Sequence, residues 1–346
     1  MSDQSFLGVD LPIIQAPMAG VQDSELAIAV SSAGGLGSLP CSMLSPDALH
    51  AELTLIKSKT SQPINVNFFC HTTPKFDAER EQKWRLLLQP YFEEYEVDIN
   101  DIPTDSGRKP FSHAVADVLE EFKPEVVSFH FGLPQQDLLK RIKSWGAKVI
   151  SSATTVEEAR WLEANGADGI IAQGFEAGGH RGMFLSEELS LQTGTFELLP
   201  KIIREVNLPV IATGGITDAK EVAAALSVGA AAVQIGTAYL LCSETKTSRF
   251  HRAAIKSDSP HQTEITNIFS GRPARGIVNR GIRELGPINP DVPQFPLATA
   301  AITALRKQVE LRGCDDFSPL WCGKNIDGCK EVSAADLTSE LASLIE

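Results

Sequence analysis

Between Pro12 and Thr237, short β-rich runs alternate with stretches patterned as helices, the rhythm of βα units around a parallel sheet. The strand-like runs are PIIQ at 12–15, GGLGSL at 34–39, INVNFF at 64–69 and EVVSFHFG at 125–132. AKVISSA at 147–153, ADGIIAQG at 167–174, LPVIATGG at 208–215 and AAAVQIGT at 230–237 complete the set. Helical patterns fall between them, and the one opening at Ser45-Pro46-Asp47 carries an N-cap and a first-turn proline. Eight such units predict an α/β (β/α)8 TIM barrel. A doubly wound open sheet is the competitor, but the repeats show no terminal change of style.

The rhythm breaks at a polar, proline-containing insertion, about 71–115, with one helix expected around Trp84. After Thr237 the pattern turns helical and irregular through FHRAAI, TNIFSGRPARGI, TAAITALRKQ and AADLTSELASLIE. The chain therefore divides into a barrel over 1–240 and a smaller, mainly helical lid or substrate domain over 241–346, whose end can return to the barrel.

Composition narrows the class. At 346 residues, 43% apolar and 22% charged, the chain is an ordinary globular sequence and excludes collagen, coiled coil and wholesale disorder. No run approaches the roughly 18 apolar residues of a membrane span. The start MSDQSFLGVDLP lacks the basic and apolar regions of a signal peptide, so a cytoplasmic protein is expected. A net charge of −13 repels phosphate backbones and gives a nucleic-acid partner no support. The six cysteines form no CxxC pair and read as reduced thiols, and no residue group has metal-ligand spacing.

In a barrel of this kind chemistry sits at the C-terminal strand ends. Strand seven ends in ATGGI with Gly214 and Gly215, and strand eight in QIGT, Gln234 to Thr237, including Gly236. Glycines there let backbone N–H groups approach an anion, so the two loops together predict a phosphate site; a tight βα turn is the plainer alternative for each. The loop QGFEAGGHRG, Gln173 to Gly182, brackets His180 with glycines, which suits a proton-exchanging group that must approach a ligand closely. His130 at the end of strand four is either a second polar contact or a satisfied core histidine. Asn67 and Gln173 can address the edge of a flat heterocycle or cap their strands. Glu176 is an acid–base candidate or a solvated loop carboxylate, and the remaining histidines are expected on the surface.

PIIQAPMAG, GGLGSL, NVNFF, VVSFHFG, AQGFEAGGHRG, PVIATGGI and AVQIGT occur in an order and spacing that resembles the nitronate monooxygenases, with a looser likeness through GRPARGI and LWCGKN. The resemblance implies non-covalent FMN, with the ring against Ala16, Pro17 and Met18 and its polar groups bonded by Asn67 and Gln173. It also implies cofactor contacts from Gly178, Gly179 and Gln234, and a phosphate held by Gly214, Gly215, Gly236 and Thr237. His180 aligns with the family's catalytic base, and His130 joins it as a catalytic candidate. The implied reaction converts an alkyl nitronate such as propionate 3-nitronate, with O2, to a carbonyl compound and nitrite through a flavin semiquinone. The sequence leaves room for an oligomer. Two departures concern substrate shape: the long insertion, and LWCGKN where the family resembles LWAGQ. Two other readings stay open. The FMN-dependent enoyl-acyl-carrier-protein reductases, which use NADH or NADPH, share an EAGGH loop; a flavin binder without catalysis is the other.

Overall fold

The computed structural model describes residues 6–102, 108–257 and 262–345. The strands are β1 (Ile13–Gln15), β2 (Gly37–Pro40), β3 (Ile64–Phe69), β4 (Val126–His130), β5 (Lys148–Ala153) and β6 (Gly169–Gln173). There follow β7 (Gly179–His180), β8 (Val210–Thr213), β9 (Ala232–Ile235), β10 (Thr263–Thr266) and β11 (Ala274–Ile277). Eight of them form one parallel sheet in the order β1-β9-β8-β6-β5-β4-β3-β2. A parallel bridge between Ile14 and Leu36, with Leu36 N donating to Ile13 O at 2.8 Å, joins β1 to the start of β2 and closes the ring. The strands are almost wholly buried, because a parallel barrel is covered by helices outside and packed side chains within.

Around the barrel lie α1 (Ser24–Ser32), α2 (Pro46–Lys59), then, beyond the insertion helix α3 (Ala78–Glu94), α4 (His113–Phe122), α5 (Gln136–Ser144), α6 (Val156–Ala164), α7 (Thr195–Glu205) and α8 (Ala219–Val228). Their starts follow local chemistry: Asp23, Ser45, Thr155 and Asp218 each accept a hydrogen bond from a first-turn backbone N–H. The later helices are α9 (Arg249–Ile255), α10 (Arg280–Leu285), α11 (Thr299–Leu311) and α12 (Ala334–Leu341). No helix among the described residues is long and apolar enough to cross a membrane.

Two findings add to the expected layout. The first concerns the insertion, counted above within the barrel unit over 1–240. Trp84, Leu88 and Phe92 of α3 share a core with Ile302, Leu305 and Val309 of α11 and with Phe317, so the insertion builds one body with the late helices. Part of it, 103–107, lies outside the described residues. Secondly, the late segment, expected to be mainly helical, also carries two strands among its described residues. β10, β11 and β7 form a small antiparallel sheet, in which Ala274 pairs with His180 and Arg275 with Gly179. TEIT and ARGI are short and half polar, too weak a pattern to separate from loop. At the chain's end, Ala334, Leu337 and Leu341 of α12 pack in the same core as Leu26 and Val30 of α1.

Candidate active site

One cavity opens at the C-terminal ends of the barrel strands. Ala16, Pro17 and Met18 reach it after β1, Asn67 from β3, His130 from the end of β4 and Gln173 from the end of β6. Gly178, Gly179 and His180 line it from the loop beyond β6, Gly214 and Gly215 after β8, and Gln234, Gly236 and Thr237 from β9 and its exit. Every candidate residue read from the sequence, apart from Glu176, thus lines one cavity.

The loop after β6 is held by hydrogen bonds from two strand ends. Gln173 Oε1 accepts from Gly182 N at 2.7 Å and Gln173 Nε2 donates to His180 O at 2.9 Å. His130 Nε2 lies 3.1 Å from the same carbonyl and its Nδ1 3.0 Å from Ser152 Oγ. A carbonyl only accepts, so Nε2 carries the His130 proton and Nδ1 accepts from the serine hydroxyl. Burial, with Arg272 and Arg181 adding repulsion, pushes the His130 pKa down to about 3, so the ring is neutral. Asn67 Nδ2 donates to Ser128 Oγ at 2.9 Å. Glu176 instead accepts from Thr195 N and Oγ1 at 2.9 and 3.0 Å, bracing the start of α7; it is neither a proton carrier in the cavity nor a free surface carboxylate.

His180 stands among Phe295, Trp321, Phe69 and Phe131, with ring centroids 5.5, 5.6, 6.1 and 6.1 Å away. Its pKa is driven well below the usual imidazole range, first by burial and then by Arg108, His130, Arg272 and His71. Among the described residues the cavity lining includes Arg108, Arg306 and three histidines but no aspartate or glutamate. A protein of net charge −13 therefore presents an electropositive site.

The two glycine loops have the form of anion cradles. Gly214 and Gly215 adopt φ of +119° and +73°, a conformation that L side chains resist. The N–H groups of Gly214, Gly215, Gly236 and Thr237 find no partner among the described residues. Gln234 Oε1 is buried in the lining and likewise unpaired, which calls for a donor from a ligand. Gly178 permits a close crossing: a Cβ there would stand 2.5 Å from Gly323 N. Gly323 N in turn donates to Thr237 Oγ1 at 3.0 Å, and Asn325 Nδ2 reaches Gly215 O at 3.3 Å, so LWCGKN is the clasp across both loops. An amide-edged slot with two cradles of free N–H donors fits a flat, phosphorylated cofactor such as FMN.

Some lining residues were not anticipated. Arg108, Ser152, Trp321 and Asn325 reach the cavity from the insertion, β5 and the late clasp; Trp321 and Asn325 belong to the LWCGKN run, while nothing in the local sequence marks Arg108 or Ser152. His71 and His251, expected on the surface, are 4% and 3% exposed. Only His50 and His113 keep that place, and His261 lies outside the described residues.

The fold and the site together define an enzyme of the (β/α)8-barrel class. Residues 3–343 match the family described as nitronate monooxygenase, and the chain belongs to that family, whose members are oxidoreductases. It is 41% identical over 341 residues to a nitronate monooxygenase of Paraburkholderia phytofirmans, covering 97% of this chain and 92% of the relative. It is 39% identical to one of Pseudomonas aeruginosa, covering 98% and 97%. Among solved structures it resembles nitroalkane oxidase from Streptomyces ansochromogenes with a TM-score of 0.89 and 36% identity, covering 97% and 95%. The likeness to FabK from Thermotoga maritima is weaker: TM-score 0.73 and 26% identity over 98% and 94% of the two chains.

Proposed function

We propose that this protein uses FMN and O2 to oxidise alkyl nitronates, such as propionate 3-nitronate, to a carbonyl compound and nitrite. The observation that carries the reading is the neutral His180 imidazole in a cavity whose lining, among the described residues, holds cations and no carboxylate. Such a site attracts an anionic nitronate, and its imidazole can take the α-proton when a neutral nitroalkane is bound. Bound FMN supplies the electron transfer between substrate and oxygen. The chain's part is to bind and orient. The free N–H groups of Gly214, Gly215, Gly236 and Thr237 would hold the phosphate, and Gln234 and Asn67 would address the ring's polar edge. Ala16 to Met18 and Gly178 with Gly179 would lie against its faces, while Phe69, Phe295 and Trp321 keep water from His180. Six free thiols agree with action in the cytoplasm.

An anaerobic visible spectrum tests the activity. With FMN bound, the flavin band should change rapidly on adding propionate 3-nitronate and stay unchanged with NADH or NADPH. Bleaching by the nicotinamides alone would replace this reading with enoyl-thioester reduction. The cofactor cradle has its own test in Gly178→Ala, whose added methyl meets Gly323 backbone. Overpacking of roughly 1–3 kcal/mol should weaken FMN binding about 5- to 150-fold, read by fluorescence titration of the apoprotein. Wild-type affinity in that variant would remove Gly178 from the cradle.

A further inference from the structure

We propose that Ser270 is the positioning residue that fixes the tautomer of His180, keeping the proton on Nε2 and leaving Nδ1 as the basic atom. Its catalytic meaning rests on the reading of His180 as base given above. Ser270 is 1% exposed, and its Oγ lies 2.9 Å from His180 Nε2. The same oxygen is 3.3 Å from Arg272 O and 3.4 Å from Arg272 N.

A serine hydroxyl has one proton to donate and two lone pairs to offer. Arg272 N–H occupies one lone pair. If the proton goes to Arg272 O, His180 Nε2 must donate into the other lone pair, and Ser270 Oγ, His180 Nε2, Arg272 N and Arg272 O are all matched. If the proton went to Nε2 instead, the Arg272 carbonyl would lose this donor, and a protonated Nδ1 would have no acceptor among the described residues. The first arrangement makes one more hydrogen bond in a buried place, where an unmade one is expensive.

Ser270 is also held in position. Gly271 N donates to Asn267 O at 2.8 Å, closing a turn in which Gly271 has φ +87° and no room for a side chain. Four residues beyond Ser270, Ala274 pairs with His180 across β11 and β7, so one segment grips both the backbone and the ring of the histidine. In the proton abstraction, the substrate's α C–H bond breaks and its electron pair passes into the nitro group, giving the nitronate. The proton forms a new N–H bond at Nδ1, and the existing Nε2–H···Oγ contact becomes a stronger, charge-assisted one.

The test uses the full chain with flavin bound and 15N-labelled histidine, in long-range 1H–15N spectra near neutral pH, with His180→Asn identifying the His180 signals. Wild type should show Nε2 protonated and Nδ1 bare. Ser270→Ala should mix the tautomers and lower the ratio of nitroalkane to nitronate kcat/KM about tenfold or more. Ser270→Thr should restore both. A protonated Nδ1 in wild type overturns the proposal without need of any variant, as do wild-type shifts in Ser270→Ala. If His180→Asn leaves the substrate ratio unchanged, the base reading falls, while the tautomer measurement stands on its own.

Discussion

His180→Asn should suppress turnover of neutral nitroalkanes by about 10²- to 10⁴-fold, the usual contribution of a positioned general base. Turnover of preformed nitronates should fall far less, because a nitronate has already lost the proton that His180 takes. Asparagine keeps polarity and similar bulk but has no basic nitrogen. Equal loss on both substrates would remove the base assignment. The pH dependence carries the same signature. Burial and the neighbouring Arg108 hold the His180 pKa well below the ordinary value near 6.5, so the ring stays neutral as pH falls through that value. Nitroalkane kcat/KM should therefore stay flat on the acid side through pH ~6.5, since a free imidazole would start to lose basicity there. A decline centred at that pH would mean that His180 titrates as an exposed histidine.

The barrel was legible because its strands are buried on both sides, which leaves runs such as INVNFF and GIIAQ standing out between helical patterns. The glycine loops were legible for a related reason. A backbone that must turn sharply with free N–H groups outward leaves glycine in the chain, as at Gly214 and Gly215. What stayed hidden is whatever depends on long-range crossing. Ser270 touches His180 across 90 positions, and Gly323 touches Thr237 across 86. Neither pairing leaves a local pattern. His251 sits in a short helix and looks like surface by spacing, yet the loop carrying Trp321 and the helix carrying Arg306 come over it. β10 and β11 hide because Arg275, buried in β11, satisfies its guanidinium on Phe175 O and Thr263 and not through a hydrophobic side chain.

Acidification should unfold this protein well before its carboxylates are all protonated. His71 and His251 are buried, and lack of solvation lowers the pKa of each to about 4; that of His130 falls to about 3. In the unfolded chain each titrates near the ordinary value of about 6.5. Above that pH both states are neutral and nothing is lost. Below it, the unfolded chain takes up protons that the folded chain refuses, so stability falls with pH until the folded values are reached near 3 to 4. Each unit of pH is worth about 1.4 kcal/mol per histidine, or roughly 2 kcal/mol each at pH ~5. Three such residues together approach the ~5–15 kcal/mol that holds a domain folded. Denaturant titrations at neutral pH and near pH ~5 should show the midpoint drop by a large fraction with little change in slope. The exposed, ion-paired Glu94 and Glu331, whose pKa values are lowered by Arg280 and Lys256, lose their contribution only at more acid pH and are screened by water. His251→Leu isolates one share. Its Nε2 is buried without a partner, while the ring also bonds the Trp321 backbone, so the leucine should cost about 1 kcal/mol at neutral pH for that one bond and make the protein more acid-resistant than wild type. An unchanged pH slope in that variant would mean that His251 is protonated, or solvated, in the folded protein.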